Sequence, residues 1–211
     1  MSETNASMRN ETVSSFTALL ASSAPVPGGG GASAMAGALG AALGEMVANL
    51  TFGKKKYAAA EPEIREACAR LTALREEMLE AIDGDAEAFA PLAAAYGVPD
   101  PGEKAAAIRK ALPAAIEAPL TAMEKMAAAL TPLRVIAEKG SRLAVSDAAA
   151  AAALLESALR AMSLNVFINT ASLGDPEAVR AYHARADRAF GALEGLRGVY
   201  AGVYAGLRKD P

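Results

Sequence analysis

The chain has 211 residues, of which 53% are hydrophobic and only 5% aromatic, and its formal net charge is −3. This length is sufficient to bury a core, and residues 1–211 are expected to form one domain. A weakly acidic chain lacks the basic face that nucleic-acid binding usually requires, so no nucleic-acid partner is expected. The single cysteine excludes an internal disulfide and fits the reducing cytoplasm.

The apolar segment at residues 32–50 has the composition of a buried core helix. Glu45 and Asn49 interrupt it, and no uncharged run within it reaches the roughly 18 residues that a membrane span needs. Residues 1–12 are polar and contain no apolar signal core. The sequence therefore predicts a cytoplasmic protein that has no membrane partner.

Helical periodicity runs through nearly the whole chain, without a convincing alternating strand pattern. The first predicted helix covers residues 12–22, with Thr12 as its N-cap, and a Pro- and Gly-rich break follows at residues 25–31. Further helices are predicted at residues 32–51, 61–96, 102–117, 118–139 and 146–173, and one last amphipathic helix begins near residue 175. The fold class is all-α: a single helical bundle or orthogonal array of about six or seven helices.

Four consecutive glycines, Gly28, Gly29, Gly30 and Gly31, precede the second predicted helix. Backbone N–H groups near the positive end of a helix dipole are a natural site for negative charge. No Gly-Lys-Ser/Thr sequence follows and no strand precedes, so this is not a nucleotide-binding P-loop. The alternative interpretation is a flexible corner that lets two helices pack tightly.

Asp85 lies on the apolar stripe of the third predicted helix, between Ile82 and Phe89, whereas Asp83 lies on the charged side. Loss of water raises the pKa of a carboxyl group unless a cation or hydrogen-bond donors compensate. A carboxyl group that titrates nearer neutrality suits general acid–base catalysis. The alternative is a carboxylate that caps a bend at Gly84 and is satisfied by backbone N–H groups.

The sixth predicted helix carries Asp147, Asn165 and Asn169 on one face. Carboxamides can both donate to and accept from the edges of a heterocyclic ligand. Structural interpretations stay open as well, because acids are favoured in a first helical turn and asparagine pairs can bridge helices.

Lys54, Lys55 and Lys56, followed by Tyr57, lie just after the predicted C-terminus of the second helix. They could bind a polyanionic ligand tail, with Tyr57 as a stacking surface, or they could be solvated charges beside a helix end. His183 is expected at the surface or at an interface. With one histidine and one cysteine, no metal site of the usual zinc spacing is present, and a Ser–His–Asp triad is not expected.

Several stretches of the chain together resemble the cyclodeaminase-type domain of formiminotransferase-cyclodeaminase and its stand-alone bacterial relatives, the methenyltetrahydrofolate cyclohydrolases of one-carbon metabolism. The resemblance covers about residues 13–169, and its most specific part runs from the glycines to Tyr57. The stretches are Pro27-Gly28-Gly29-Gly30-Gly31, Asn49-Leu50-Thr51, Gly53-Lys54-Lys55-Lys56-Tyr57, Asp85-Ala86-Glu87-Ala88-Phe89, Ser146-Asp147 and Asn165-Val166-Phe167-Ile168-Asn169.

This resemblance implies an all-helical homodimer with active sites near the subunit interface and a reduced folate as substrate, without a tightly bound cofactor. It implies that Asp85 is the proton acceptor, in agreement with the helical periodicity. On this hypothesis Asp147, Asn165 and Asn169 bind the pterin ring, and Ser146 is a further substrate-binding residue. The glycine amides would receive negative charge, and the lysines would hold the glutamate carboxylates of the folate tail.

The implied activity is hydrolysis of the 5,10-methenyl bridge of tetrahydrofolate to 10-formyltetrahydrofolate. Two alternatives stay open: formiminotetrahydrofolate cyclodeaminase, which closes the same bridge and releases ammonia, and a non-catalytic folate-binding dimer. The chain departs from the family pattern at residues 97–102, where the loop is shorter and richer in proline, and at Ser141, where the relatives often carry asparagine.

Overall fold

The computed structural model describes residues 7–208, which contain eight α-helices. The helices are α1 Val13–Leu20, α2 Gly29–Asn49, α3 Glu61–Tyr96, α4 Pro101–Ala128, α5 Leu130–Lys139, α6 Val145–Thr170, α7 Pro176–Phe190 and α8 Ala192–Leu207. Short 3-10 helices lie at Met8–Asn10, Lys55–Tyr57 and Arg142–Ala144. No strand occurs in this part of the chain, and the predicted all-α class is confirmed.

The antiparallel pair α2 and α6 lies at the centre, with α3 and α4 packed around it. Small residues permit the close approach: a Cβ on Gly40 would lie 3.0 Å from the carbonyl oxygen of Ala151 in α6. Leucine, isoleucine and methionine side chains of α3 and α4 fill the remaining space, among them the fully buried Leu74, Met78 and Met123. The buried side chains of all these helices form one continuous apolar cluster.

Two helices, Gly29–Asn49 and Arg142–Thr170, are long and apolar enough to cross a membrane by length and composition alone. In the folded chain 56% and 44% of their most apolar windows are buried against other helices. The buried part of each window contributes to the core of the bundle.

The glycine run belongs to α2 itself, which differs from the predicted break. Gly28 is the N-cap, and Gly29, Gly30 and Gly31 form the first helical turn. Thr12 caps α1 as predicted, because its side chain accepts a hydrogen bond from the backbone N–H of Ser15.

Helix α4 continues through Pro113 and Pro119, so the predicted division at residue 118 is wrong; the break comes instead at Ala129. A proline inside a helix removes one N–H and leaves the carbonyl four residues earlier without its helical partner. For Pro113 that carbonyl belongs to the exposed residue Arg109. For Pro119 it belongs to the buried Ala115, whose oxygen accepts a hydrogen bond from Asn169 Nδ2 at 2.8 Å.

The last predicted helix is divided in two at Gly191. Helix α7 packs on α4, and α8 packs on α6. Because α7 and α8 pack on different helices, one continuous straight helix could not contact both α4 and α6 in this way. Apolar periodicity alone did not reveal this division.

Candidate active site

The Asp85 carboxyl lies against the first turn of α2. A Cβ on Gly30 would overlap the carboxyl group, and the backbone N–H of Gly31 donates a hydrogen bond to it. Because Gly28 has no side chain to cap the helix, Asp85 supplies a cap from the neighbouring helix α3. The structure is compatible with both interpretations of Asp85, as a capping carboxylate and as a catalytic acid, because the carboxyl group contacts the start of α2 and also lines a cavity.

Burial raises the pKa of Asp85, and the hydrogen bond from Gly31 opposes this rise. A neutral carboxylic acid is therefore accessible nearer to neutral pH than for an exposed aspartate. A group with such a pKa can accept a proton in one step and return it in the next.

Asp85 faces a cavity of about 410 Å³ between the loop before α2, helix α3 and the end of α6. Gly28, Gly29, Asn165 and Asn169 also line it, so the structure brings these predicted site residues together. Gly29 is close to Asn165, because a Cβ on it would lie 3.7 Å from Asn165 Nδ2. We call the group Gly28–Gly31, Asp85, Asn165 and Asn169 the aspartate cluster.

The cavity has further lining residues that sequence analysis did not assign to a site. They are Pro25, Val26, Phe89, Tyr96, Ala115, Ile168 and Ser172. Phe89 follows Asp85 by one helical turn, and Ile168 and Ser172 continue the spacing of Asn165 and Asn169, so periodicity could have found these three. The sequence around Ala115 gave no indication that this residue lines a cavity. Its carbonyl is free to accept a hydrogen bond from Asn169 because Pro119, four residues later, has no N–H.

The other predicted site residues lie at the opposite end of the α2–α6 pair. The Tyr57 hydroxyl oxygen accepts a hydrogen bond from the backbone N–H of Arg142 at 3.1 Å, just before α6 begins. Lys54, Lys55 and Lys56 are exposed beside it, and Lys56 Nζ lies 5.5 Å from the Tyr57 ring centroid. Ser146 and Asp147 occupy the first turn of α6. We call Lys54–Lys56, Tyr57, Ser146 and Asp147 the lysine cluster.

Electrostatics at the lysine cluster favour negative charge. The hydrogen bond from the Arg142 backbone, assisted by the charges of Lys56 and Lys54, lowers the pKa of Tyr57. Ser141, which follows Gly140 at the end of α5, is buried here, and its N–H donates to Thr51 Oγ1 at 2.8 Å.

One chain does not bring the two clusters together. From Asp147 to Asn165, α6 rises about 27 Å at about 1.5 Å per residue. The predicted joint action of Asp147 with Asn165 and Asn169 on one pterin ring therefore does not occur within a single chain, although their helical spacing is as predicted. The residue numbers already imply this separation, since the two positions are 18 residues apart in the predicted helix; the prediction considered the shared face and not the rise along the helix.

Asp83 has a separate structural role. Its carboxylate accepts hydrogen bonds from the Ser7 hydroxyl at 2.5 Å and from the Met8 N–H at 2.6 Å. Asp83 therefore fastens the segment Met8–Asn10 to α3, on a different side of the helix from Asp85. His183 is half-buried and its Nε2 lies 2.9 Å from Thr170 Oγ1, away from the cavity lining. Across residues 7–208, no group of three His, Cys, Asp or Glu side chains is placed to hold a metal ion.

The chain is similar in sequence to a family of known proteins. Residues 12–188 match the family described as formiminotransferase-cyclodeaminase. The chain is 40% identical to the methenyltetrahydrofolate cyclohydrolase of Methylorubrum extorquens over 192 residues, which is 89% of each chain.

A longer protein and a solved crystal structure from the same family are also similar to this chain. The chain is 35% identical over 168 residues to the formimidoyltransferase-cyclodeaminase of Dictyostelium discoideum, of which it spans only 31%. The crystal structure of formiminotetrahydrofolate cyclodeaminase from Thermotoga maritima superposes with a TM-score of 0.82 at 28% identity, covering 94% of this chain and 98% of that one. The matched region includes both clusters and nearly the whole helical bundle, and the chain belongs to the formiminotransferase-cyclodeaminase family.

Proposed function

We propose that this protein is a methenyltetrahydrofolate cyclohydrolase that converts the 5,10-methenyl bridge to a 10-formyl group. The observation that carries the proposal is the position of Asp85, a half-buried acid on the wall of a cavity that also contains two asparagines. Similarity to a cyclohydrolase along nearly the whole chain supports the choice of reaction.

The chemistry requires one group that moves protons. The methenyl bridge is an amidinium-like cation whose carbon is electrophilic, and water loses a proton as its oxygen bonds to that carbon. Asp85 accepts this proton as a carboxylate and donates it to N5 as the N5–carbon bond breaks. The second proton of the water leaves as the carbonyl forms, so one proton is released per turnover. Proton transfer of this kind contributes about 10²- to 10⁴-fold to the rate.

The rest of the aspartate cluster would position the substrate. Gly30 allows the carboxyl to lie against the backbone of α2, and Gly31 fixes it there through the N–H. Asn165 and Asn169 would meet the polar edge of the pterin, and Phe89 and Ile168 would cover its apolar faces. The Gly31 N–H stabilises the carboxylate form of Asp85.

A second copy of the chain would complete the site. Leu39 and Met46 on α2 and Leu50 directly after it are exposed, as are Leu164 and Ile168 on α6 at 68% and 71%. This apolar face lies between the aspartate cluster and the lysine cluster, and exposed faces of this kind mark association sites. Two-fold packing of the antiparallel helix pair would place the lysine cluster of one subunit at the aspartate cluster of the other.

In that arrangement the lysines would hold the glutamate carboxylates of the folate tail while the pterin lies at Asp85. Tyr57 would contribute its ring and a hydroxyl of lowered pKa. Ser146 and Asp147, at the start of α6, would add polar contacts. We place this reaction in the cytoplasm, where a single unpaired cysteine is compatible with the reducing environment.

The test is incubation of the purified protein with 5,10-methenyltetrahydrofolate. Loss of the bridge absorbance and formation of 10-formyltetrahydrofolate without ammonia are expected. Asp85→Asn is expected to lower kcat by about 10²- to 10⁴-fold with an unchanged circular dichroism spectrum. Glu87→Gln, a change at an exposed acid two residues away, serves as the matched control. Undiminished turnover by Asp85→Asn contradicts the role of this residue.

Formiminotetrahydrofolate cyclodeaminase is the second candidate, favoured by the structural likeness to the Thermotoga maritima enzyme. Incubation with 5-formiminotetrahydrofolate separates the two, because a cyclodeaminase gains the bridge absorbance and releases ammonia. Folate binding without turnover of either substrate would identify a non-catalytic binding protein.

A further inference from the structure

Pro119 interrupts the hydrogen bonding of α4 at the wall of the substrate cavity. In an uninterrupted helix, the N–H of residue 119 would donate to the carbonyl of Ala115. Proline has no N–H, so this carbonyl loses its helical donor. Ala115 is only 4% exposed and lines the cavity, so its carbonyl needs another donor.

Asn169 provides that donor through Nδ2, at 2.8 Å from the Ala115 oxygen. A carbonyl can only accept hydrogen bonds, so the carboxamide must turn its NH₂ group to α4. With one N–H directed to α4, the carboxamide oxygen, Oδ1, is the acceptor that remains for a ligand. The orientation of the Asn169 carboxamide is thereby set by the Ala115 carbonyl on α4.

We infer that Pro119 is a positioning residue: by freeing the Ala115 carbonyl it holds Asn169 with its acceptor toward the substrate, so that this side chain recognises a donor edge of the ligand. For the folate of the proposed function, on which this inference rests, that edge contains the pterin N3–H or the 2-amino group. The recognised chemistry is an N–H donor on a planar heterocycle. A ligand with only acceptors at that edge would face Oδ1 without a hydrogen bond.

The decisive variant is Pro119→Ala, which restores an N–H to the helix. This N–H competes with Asn169 for the Ala115 carbonyl and releases the carboxamide. KM for methenyltetrahydrofolate is expected to rise about three- to ten-fold with little change in kcat. The melting temperature is expected to stay unchanged or to rise, because the variant removes a helix-interrupting proline. A purely structural proline would instead give lower stability or no change in KM.

Pro113→Ala is the matched control, because Pro113 is exposed, lies in the same helix and frees the carbonyl of an exposed residue. Its KM is expected to equal that of the unmodified protein. Asn169→Ala is expected to raise KM as much as Pro119→Ala does, and the double variant is expected to show no further rise, because both changes remove the same contact. Additive effects of the two substitutions would overturn the inference.

Two further measurements do not depend on turnover. The side-chain NH₂ protons of Asn169 are expected to be protected from hydrogen exchange in the unmodified protein and exposed in Pro119→Ala. A folate methylated at N3 is expected to bind the unmodified protein several-fold more weakly than folate, and Asn169→Ala is expected to bind the two ligands equally. An active enzyme whose KM is unchanged by Pro119→Ala refutes this inference alone, whereas absence of hydrolysis by the unmodified protein refutes the proposed function.

Discussion

The carboxyl group of Asp85 occupies the space that a side chain on Gly30 would require. This relationship makes the two positions interdependent, although they lie on different helices. Gly30→Ala is expected to displace the carboxyl group and to lower kcat/KM about 100-fold, the effect of moving a reacting group by about 1 Å.

The control for Gly30→Ala is Gly84→Ala, next to Asp85 in sequence, where an added Cβ meets no atom within 4 Å. That variant is expected to retain full activity. Steady-state kinetics on both proteins, together with circular dichroism, tests the relationship. Equal activities would contradict it.

The activity is expected to fall on the acid side as Asp85 becomes protonated. The carboxylate form accepts the proton of water, and burial raises the pKa of this group. The midpoint in a plot of kcat/KM against pH should therefore lie above the range of an ordinary aspartate. A midpoint at or below that range would contradict the assignment of Asp85.

The same shift predicts an effect on stability. An acid whose pKa is higher in the folded state contributes stability below its unfolded pKa, and this contribution is lost as the pH rises through the folded value. The Asp85→Asn protein has no titrating carboxyl group at this position, so it does not lose this stability as the pH rises. Urea unfolding at a series of pH values should show the variant gaining stability relative to the unmodified protein as the pH rises through that window.

Removal of the three lysine charges is expected to weaken binding of the folate tail. Exposed ion pairs contribute about 0.2–1 kcal/mol each, so Lys54→Ala, Lys55→Ala and Lys56→Ala together should raise KM about three- to one-hundred-fold for a triglutamate substrate. KM for the monoglutamate should change less, and added salt should reduce the difference. Lys110→Ala, on the exposed surface of α4, is the control. An equal rise for both substrates would place the tail elsewhere.

Complementation tests the composite site. Asp85→Asn and the double variant Tyr57→Ala with Asp147→Ala are each expected to be strongly impaired. After subunit exchange at equal concentrations, a mixture should regain roughly a quarter of the unmodified activity, because half of the dimers contain one intact site out of two. Analytical ultracentrifugation measures whether the chain forms the proposed dimer. Heterodimers without recovered activity would show that each chain forms its site alone.

Asp83→Ala is expected to lower stability without changing the proposed catalytic acid, Asp85. The substitution deletes the hydrogen bonds to Ser7 and Met8, at a cost of about 1–2 kcal/mol. Chemical denaturation measures this change, and protection of Met8–Asn10 in hydrogen exchange should be lost. The comparison with Asp85→Asn, which affects turnover instead, would distinguish the roles of the two aspartates.

Helical periodicity was sufficient to separate these aspartates. Asp85 shares its face with Ile82 and lies at the cavity, while Asp83 lies elsewhere on α3, where it binds the segment before α1. The all-α class and most helix ends followed from local preferences in the same way. Both rest on interactions between residues that are close in sequence.

The sequence did not reveal features that depend on distant partners. The first turn of α2 lies at Gly29–Gly31, where the Asp85 carboxyl reaches it from α3. Where α4 passes Pro119, Asn169 of α6 supplies the donor that the Ala115 carbonyl lacks. In both places the hydrogen-bonding partner comes from a residue that is distant in the sequence.

The rise of α6 sets the separation of the two clusters along the α2–α6 pair. Gly40 permits a close approach of α2 to α6, because a Cβ at this position would lie 3.0 Å from the Ala151 carbonyl oxygen. Each added residue in α6 would advance Asn165 by about 1.5 Å and rotate it by about 100° relative to Asp147. Insertions and deletions should therefore be excluded from this stretch of α6, although the loops between helices can vary in length.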